Sequence, residues 1–197
     1  MIHVTKKTNY ILSWCDLINI NHNRIIEGNI FSKNTYLPRM GKCGNPYLYQ
    51  INWLSKVIKN NLLKNNYSDN KEKYVIIIKR TKKRQMINYA TVEQIITNYC
   101  NKNNKKLYIH SDENLPTLVE QHYIFNKAEI VFAPHGAGGI HLLAMNPNTY
   151  FVEFINYNDI NICYSRLAYF LNINYIGISM NNNQTNINNL INTLYNL

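Results

Sequence analysis

Residues 130–141 read IVFAPHGAGGIH. An apolar run ends in a proline, and three glycines follow within four positions, with a histidine on either side. A short continuous apolar run is the pattern of a strand buried on both faces, and apolar residues beyond the glycines mark entry into a helix. The stretch is therefore a strand, a tight turn and a helix start.

The same alternation extends in both directions. YVIIIKR (74–80) is an apolar run closed by two cations, and MINYATVEQIITNYC (86–100) has helical spacing. KKLYIHS (105–111) reads as a strand, LPTLVEQHYIFNKA (115–128) as a helix, EIVFAP (129–134) as a strand and GAGGIHLLAMN (136–146) as a helix. TYFVEFI (149–155) is a fourth strand, CYSRLAYFLN (163–172) a helix, NYIGIS (174–179) a fifth strand, and a polar helical tail closes the chain. Strands alternating with helices imply a parallel sheet covered on both faces, and the unbroken Val/Ile runs fit strands buried on both sides. The fold class is α/β, Rossmann-like.

Upstream the pattern is weaker. Residues 1–35 read as a helix with ILSWCDLI (11–18) as its apolar face, then a short strand or loop. YLPRMGKCGNP (36–46) is irregular, YLYQINWLSKVIKNNLL (47–63) is an amphipathic helix, and KNNYSDNKEK (64–73) is the best boundary. The chain divides into a short N-terminal part, 1–72, and a Rossmann-like part, 73–197.

The 197 residues, 46% of them hydrophobic, suffice for a substantial core, and a net charge of +10 favours anionic partners. Asparagine supplies much of the polarity and reads as a compositional bias. Cys15, Cys43, Cys100 and Cys163 form no CxxC pair and read as buried thiols rather than bridges. There is no signal peptide and no membrane-spanning run, which gives a cytoplasmic location by default.

In such a sheet, ligands sit outside the carboxyl ends of the strands, where HGAGG lies. Glycines there let backbone N–H groups approach an anion. The dinucleotide pattern fails because His141 stands where its last glycine belongs, and no Lys-Ser/Thr pair completes a phosphate loop. Two other readings stand beside phosphate binding. The glycines could serve only close packing, or His135 and His141 could join His110, His122 or Asp112 around a metal, although no close pair has ligand spacing. Arg80 and Arg84, in KRTKKR, belong to the same carboxyl edge, and guanidinium groups grip phosphate oxygens bidentately. Together they favour a diphosphate site. KRTKKR alone does not make a nucleic-acid surface, because no recognition motif accompanies it.

These blocks, in this order, resemble glycosyltransferase family 61. LPRMGKCGNPYLYQINWL (37–54) is similar to its Pro…Cys-Gly-x-Pro segment and Trp-Leu helix, and IIIKRTKKRQMIN (76–88) to its strand, Arg-x3-Arg and Asn. LVEQHYIFNKAEIVFAPHGAG (118–138), YFVEFI (150–155) and YSRLAYFLNINY (164–175) are similar to its Glu-Gln helix with His-Gly-Ala-Gly, its strand ending in Glu, and its closing helix and Tyr. The chain departs at Gly139 and His141, where the family usually has Leu and Asn, and at Tyr89, where an acidic residue is common. The resemblance implies the C-terminal half of a GT-B fold with an incomplete N-terminal, acceptor-side part. It implies a hexosyl- or pentosyltransferase that moves a sugar, with inversion and without a metal or other cofactor, from a nucleotide sugar to a hydroxyl of a glycan or protein. Carried over, Arg80, Arg84, His135 and the backbone of Gly136, Ala137, Gly138 and Gly139 would hold the diphosphate. Glu153 would accept hydrogen bonds from ribose or sugar hydroxyls, and Glu120 and Gln121 would either contact ligand or serve their helix. No general base is marked; Asp16 and Glu27 are the early carboxylates. A second polypeptide completing the acceptor domain is an expected partner, nucleic acid is not. The rival reading is a non-catalytic nucleotide-binding or assembly domain that keeps the fold.

Overall fold

The computed structural model describes residues 1–36, 47–64, 72–158 and 160–197. The irregular segment expected at 36–46 and the boundary expected at 64–73, with Cys43, fall almost wholly outside these residues. Two short parallel strands, β1 (Ile2–Val4) and β2 (Ile25–Glu27), flank helix α1 (Asn9–Leu17), and helix α2 (Leu48–Lys64) follows. The main body then alternates as expected: β3 (Tyr74–Lys79), α3 (Tyr89–Lys102), β4 (Lys106–Ser111), α4 (Leu118–Asn126), β5 (Ala128–Pro134), a 3-10 helix (Ala137–Ala144), β6 (Tyr150–Asn156), α5 (Cys163–Phe170), β7 (Asn174–Asn181), β8 (Gln184–Thr185) and α6 (Ile187–Tyr195).

The sheet order is β4-β3-β5-β6-β7-β8, parallel except for the last pair. From β3 the chain goes one way to β4 and the other way to β5, so the order reverses between β3 and β5. A crevice opens at such a switch point because the two connections leave on opposite faces. Val75, Ile77, Ile130, Phe132 and Val152 face α3 and α6, whereas Ile76, Ile78, Val131 and Phe151 face α4 and α5. Leu17 of α1 and Ile58 and Leu62 of α2 are buried in that second core, and Ser55 Oγ donates to the Leu143 carbonyl at 2.7 Å. Cys15 and Cys100 are buried thiols, the latter pushed up to about 11 by burial. Among the described residues no helix is long and apolar enough to cross a membrane.

Two details differ from expectation. The segment after the glycine turn is a 3-10 helix, not an α-helix. Here Gly139 is pressed so closely on the Tyr164 ring that a Cβ would strike it. Asparagine also has local work to do. Among the described residues seven non-glycine positions have positive φ, and six are asparagines: Asn19, Asn104, Asn148, Asn172, Asn182 and Asn183. Asn tolerates the left-handed region best of the side-chain-bearing residues, and Asn182-Asn183 makes the two-residue turn between β7 and β8. The seventh is Arg84, φ 57°.

Candidate active site

The switch point brings the separated cations together. Arg80 leaves β3 and its Nη1 donates to the carbonyl of His135, at the end of β5, at 3.2 Å. Arg84 Nη1 reaches the same oxygen at 3.4 Å. The loop carrying them is tied at both ends: the Thr81 N–H and hydroxyl donate to Asp112 Oδ1 at 2.9 and 2.8 Å, and Asn88 exchanges two hydrogen bonds with the Thr185 backbone. Arg84 holds a left-handed backbone that costs a non-glycine residue about 1 kcal/mol or more, a strain found where a side chain must be aimed. Among the described residues neither arginine has a carboxylate partner. Two guanidinium groups thus converge on one oxygen with their charge uncompensated.

His135 is fixed from behind. Its Nδ1 lies 2.5 Å from Glu153 Oε1, while the Tyr175 hydroxyl donates to Glu153 Oε2 at 2.6 Å. Glu153 is 0% exposed. Burial raises its carboxyl, and the hydrogen bonds from Tyr175 and His135 pull it back down. Tyr175 is raised by burial and by donating to this carboxylate, and Tyr164, packed 5.3 Å from the His135 ring, is pushed up to about 12 by burial. The glutamate was expected at ribose or sugar hydroxyls, but both its oxygens are occupied inside the protein. It orients His135, fixing the Nδ1 proton towards itself and leaving Nε2 for the crevice.

Gly136 carries two constraints. Its φ of 155° with ψ of −175° is a region kept almost to glycine, and a Cβ there would run into Arg80 Nη1. Gly136→Ala should therefore cost about 1–3 kcal/mol in urea unfolding and displace the Arg80 guanidinium. Ala137 and Gly138 line a cavity of about 470 Å³ with Arg80, Asp112 and Gln121. Gln121 is buried and donates to the Pro116 carbonyl at 2.8 Å. Glu120 is exposed and closes a capping box with Thr117, which engages its carboxylate at the start of α4. Asp16 pairs with His22 at 2.8 Å and Glu27 accepts from the Lys7 N–H at 2.8 Å, so neither reaches the arginines. A larger concavity, about 630 Å³ between α3 and α6, holds none of these groups.

The sequence order of these parts is decisive. A family model described as Glycosyltransferase 61 matches residues 3–152. The chain belongs to glycosyltransferase family 61. No curated protein matches it. Family membership makes the chain a glycosyltransferase by lineage, with a sugar donor and an acceptor as its partners. The match covers the arginine loop, His135 and the glycine turn and ends just before Glu153, and Tyr175 lies beyond it. Sequence reasoning gave Tyr175 and Asp112 no such role. The only signals were a tyrosine closing the last block and an aspartate just past a strand end.

Among the described residues no group of three or more His, Cys, Asp or Glu is placed to hold a metal. His110, His122 and His141 do cluster, with ring centroids 4.8 Å apart for His122–His141 and 5.4 Å for His110–His141.

Proposed function

We propose that this chain binds the donor of an inverting, metal-independent GT-B glycosyltransferase and stabilises the diphosphate that leaves. The observation that carries this reading is the convergence of Arg80 and Arg84, unpartnered by carboxylates, beside a histidine braced by a buried glutamate. In the transfer, an acceptor hydroxyl forms a bond to the anomeric carbon as the bond from that carbon to the β-phosphate oxygen breaks. Negative charge grows on the departing oxygen, and fixed donors aimed there lower the barrier without reorganising. The two guanidinium groups would supply most of that stabilisation. His135 Nε2, when protonated, would add a third donor, and the N–H groups of the glycine turn would complete the cradle.

Residues 1–72 would contribute part of the acceptor side.

Isothermal titration with pyrophosphate tests the cradle. Arg80→Ala or Arg84→Ala should each weaken binding by roughly tenfold to a hundredfold, since a charged hydrogen bond contributes about 1.5–3 kcal/mol. Binding untouched by both substitutions would remove the proposal. Donor binding with no sugar transfer or donor hydrolysis would instead favour the non-catalytic reading.

A further inference from the structure

Glu153 holds the His135 ring by one atom. A ring gripped only at Nδ1 can still swing about the line to the carboxylate, so a second contact must fix its plane if Nε2 is to be aimed. Tyr164 supplies one: its ring lies 5.3 Å from the His135 ring at an interplanar angle of 53°. The phenol comes from the first turn of α5 (Cys163–Phe170). Because β6 runs parallel to its neighbours, the helix that follows it starts at the carboxyl edge of the sheet, and side chains on a helix lean towards its N-terminus. The ring is thereby brought against the glycine turn and His135.

Tyr164 is itself wedged. Phe151 of β6 packs on its ring at 6.3 Å, and Gly139 lies against it. A Cβ at residue 139 would stand 2.5–2.7 Å from Tyr164 Cδ1, Cε1 and Cζ, closer than Cβ atoms come to other atoms. The backbone there makes no demand for glycine, since among the described glycines only Gly28 and Gly136 have positive φ. What glycine supplies at 139 is space, and the Tyr164 ring fills it. The turn therefore uses two glycines to admit two side chains, Gly136 for Arg80 and Gly139 for Tyr164. Burial pushes the Tyr164 phenol up to about 12, so the wall beside the histidine is neutral near pH 7 and brings no negative charge to a site for anions.

We infer that Tyr164 is a positioning residue for His135, and that Gly139 lacks a side chain so that the Tyr164 ring can reach the histidine. The inference rests on the donor-site reading, because Tyr164 acts through His135. Glu153 sets where Nδ1 points, Tyr164 sets the plane of the ring, and the two together fix the direction of Nε2.

Pyrophosphate titration of the whole chain tests it. Tyr164→Ala should weaken binding by roughly threefold to tenfold, part of what His135→Ala loses. Tyr164→Phe keeps the ring and should recover most of that loss. Gly139→Ala removes no binding group but displaces the ring, so it should weaken binding to a similar extent; urea unfolding checks that each variant is folded. In a His135→Ala background the same substitutions should change affinity by less than about twofold, because substitutions that act through one residue do not add. Tyr164→Ala or Gly139→Ala binding as tightly as the unaltered chain, Tyr164→Phe binding no better than Tyr164→Ala, or losses undiminished without the histidine would each overturn it. Pyrophosphate binding lost in Arg80→Ala keeps the donor site standing in those cases; no pyrophosphate binding at all would bring down both.

Discussion

Glu153→Gln is expected to reduce donor turnover by roughly two to three orders of magnitude while the fold survives. The glutamate accepts at both oxygens, from His135 Nδ1 and from the Tyr175 hydroxyl. A glutamine of the same shape can accept at only one. If its carbonyl faces Tyr175, its amide donates to His135 Nδ1, which holds that nitrogen unprotonated and prevents the charged, doubly protonated ring whose Nε2 would donate to the leaving group. If its carbonyl faces His135, the Tyr175 hydroxyl meets an amide and is left unsatisfied. Either way the geometry fixed behind the histidine is lost. Stability near pH 7 should change little, because burial raises the Glu153 carboxyl and ionised Glu153 is therefore a charge the fold holds at a cost. The measurement pairs steady-state turnover with urea unfolding and pyrophosphate titration. Turnover should collapse, while pyrophosphate affinity, held mainly by Arg80 and Arg84, should fall by less than about tenfold. Unchanged turnover in a folded variant would mean that His135 needs no orienting partner.

Arg80 and His135 were legible together because each follows the end of a strand of a parallel sheet, with Arg84 four residues after Arg80, and all such ends share one edge. Their actual convergence depends on β3 lying beside β5, which no local pattern reveals. Glu153 was carried over as a ligand group from the family resemblance. Its partners in the structure follow from register: Ala133 pairs with Glu153, so His135, two residues on, lies on the same face, and Tyr175 comes from β7 on the other side of β6. The 3-10 winding after Gly136 was hidden because helical spacing does not distinguish a tight helix from an ordinary one over eight residues. The use of six asparagines in left-handed corners was not legible beneath the compositional bias, since it depends on where the chain must turn. Against that background Arg84 stands out as the one cation holding such a corner among the described residues. The histidine cluster was least legible: His110, His122 and His141 come from β4, α4 and the 3-10 helix, and only packing unites them.

That cluster should also dominate the acid limb of stability. His110 and His122 are each lowered to about 4 by burial, and His141 is lowered well below the ordinary histidine value by burial and by its two neighbours. In the unfolded chain each titrates near 6.5. Between those limits the unfolded state binds protons that the folded state refuses, so stability is fully present above about pH 6.5 and is lost as pH falls towards 4. Each of His110 and His122 is worth about 3 kcal/mol over that interval, and together they approach the whole stability of a typical domain, about 5–15 kcal/mol. Glu153 acts in the opposite sense, because its raised carboxyl gains a proton more readily in the folded state as pH falls. One raised carboxyl does not offset three depressed imidazoles. Urea midpoints measured from pH 7.5 to 4 should fall steeply below about pH 6.5, and the slope should be shallower in His141→Phe, which removes one titrating ring. A midpoint that stays level down to pH 4.5 would show that the three rings are not held neutral in the fold.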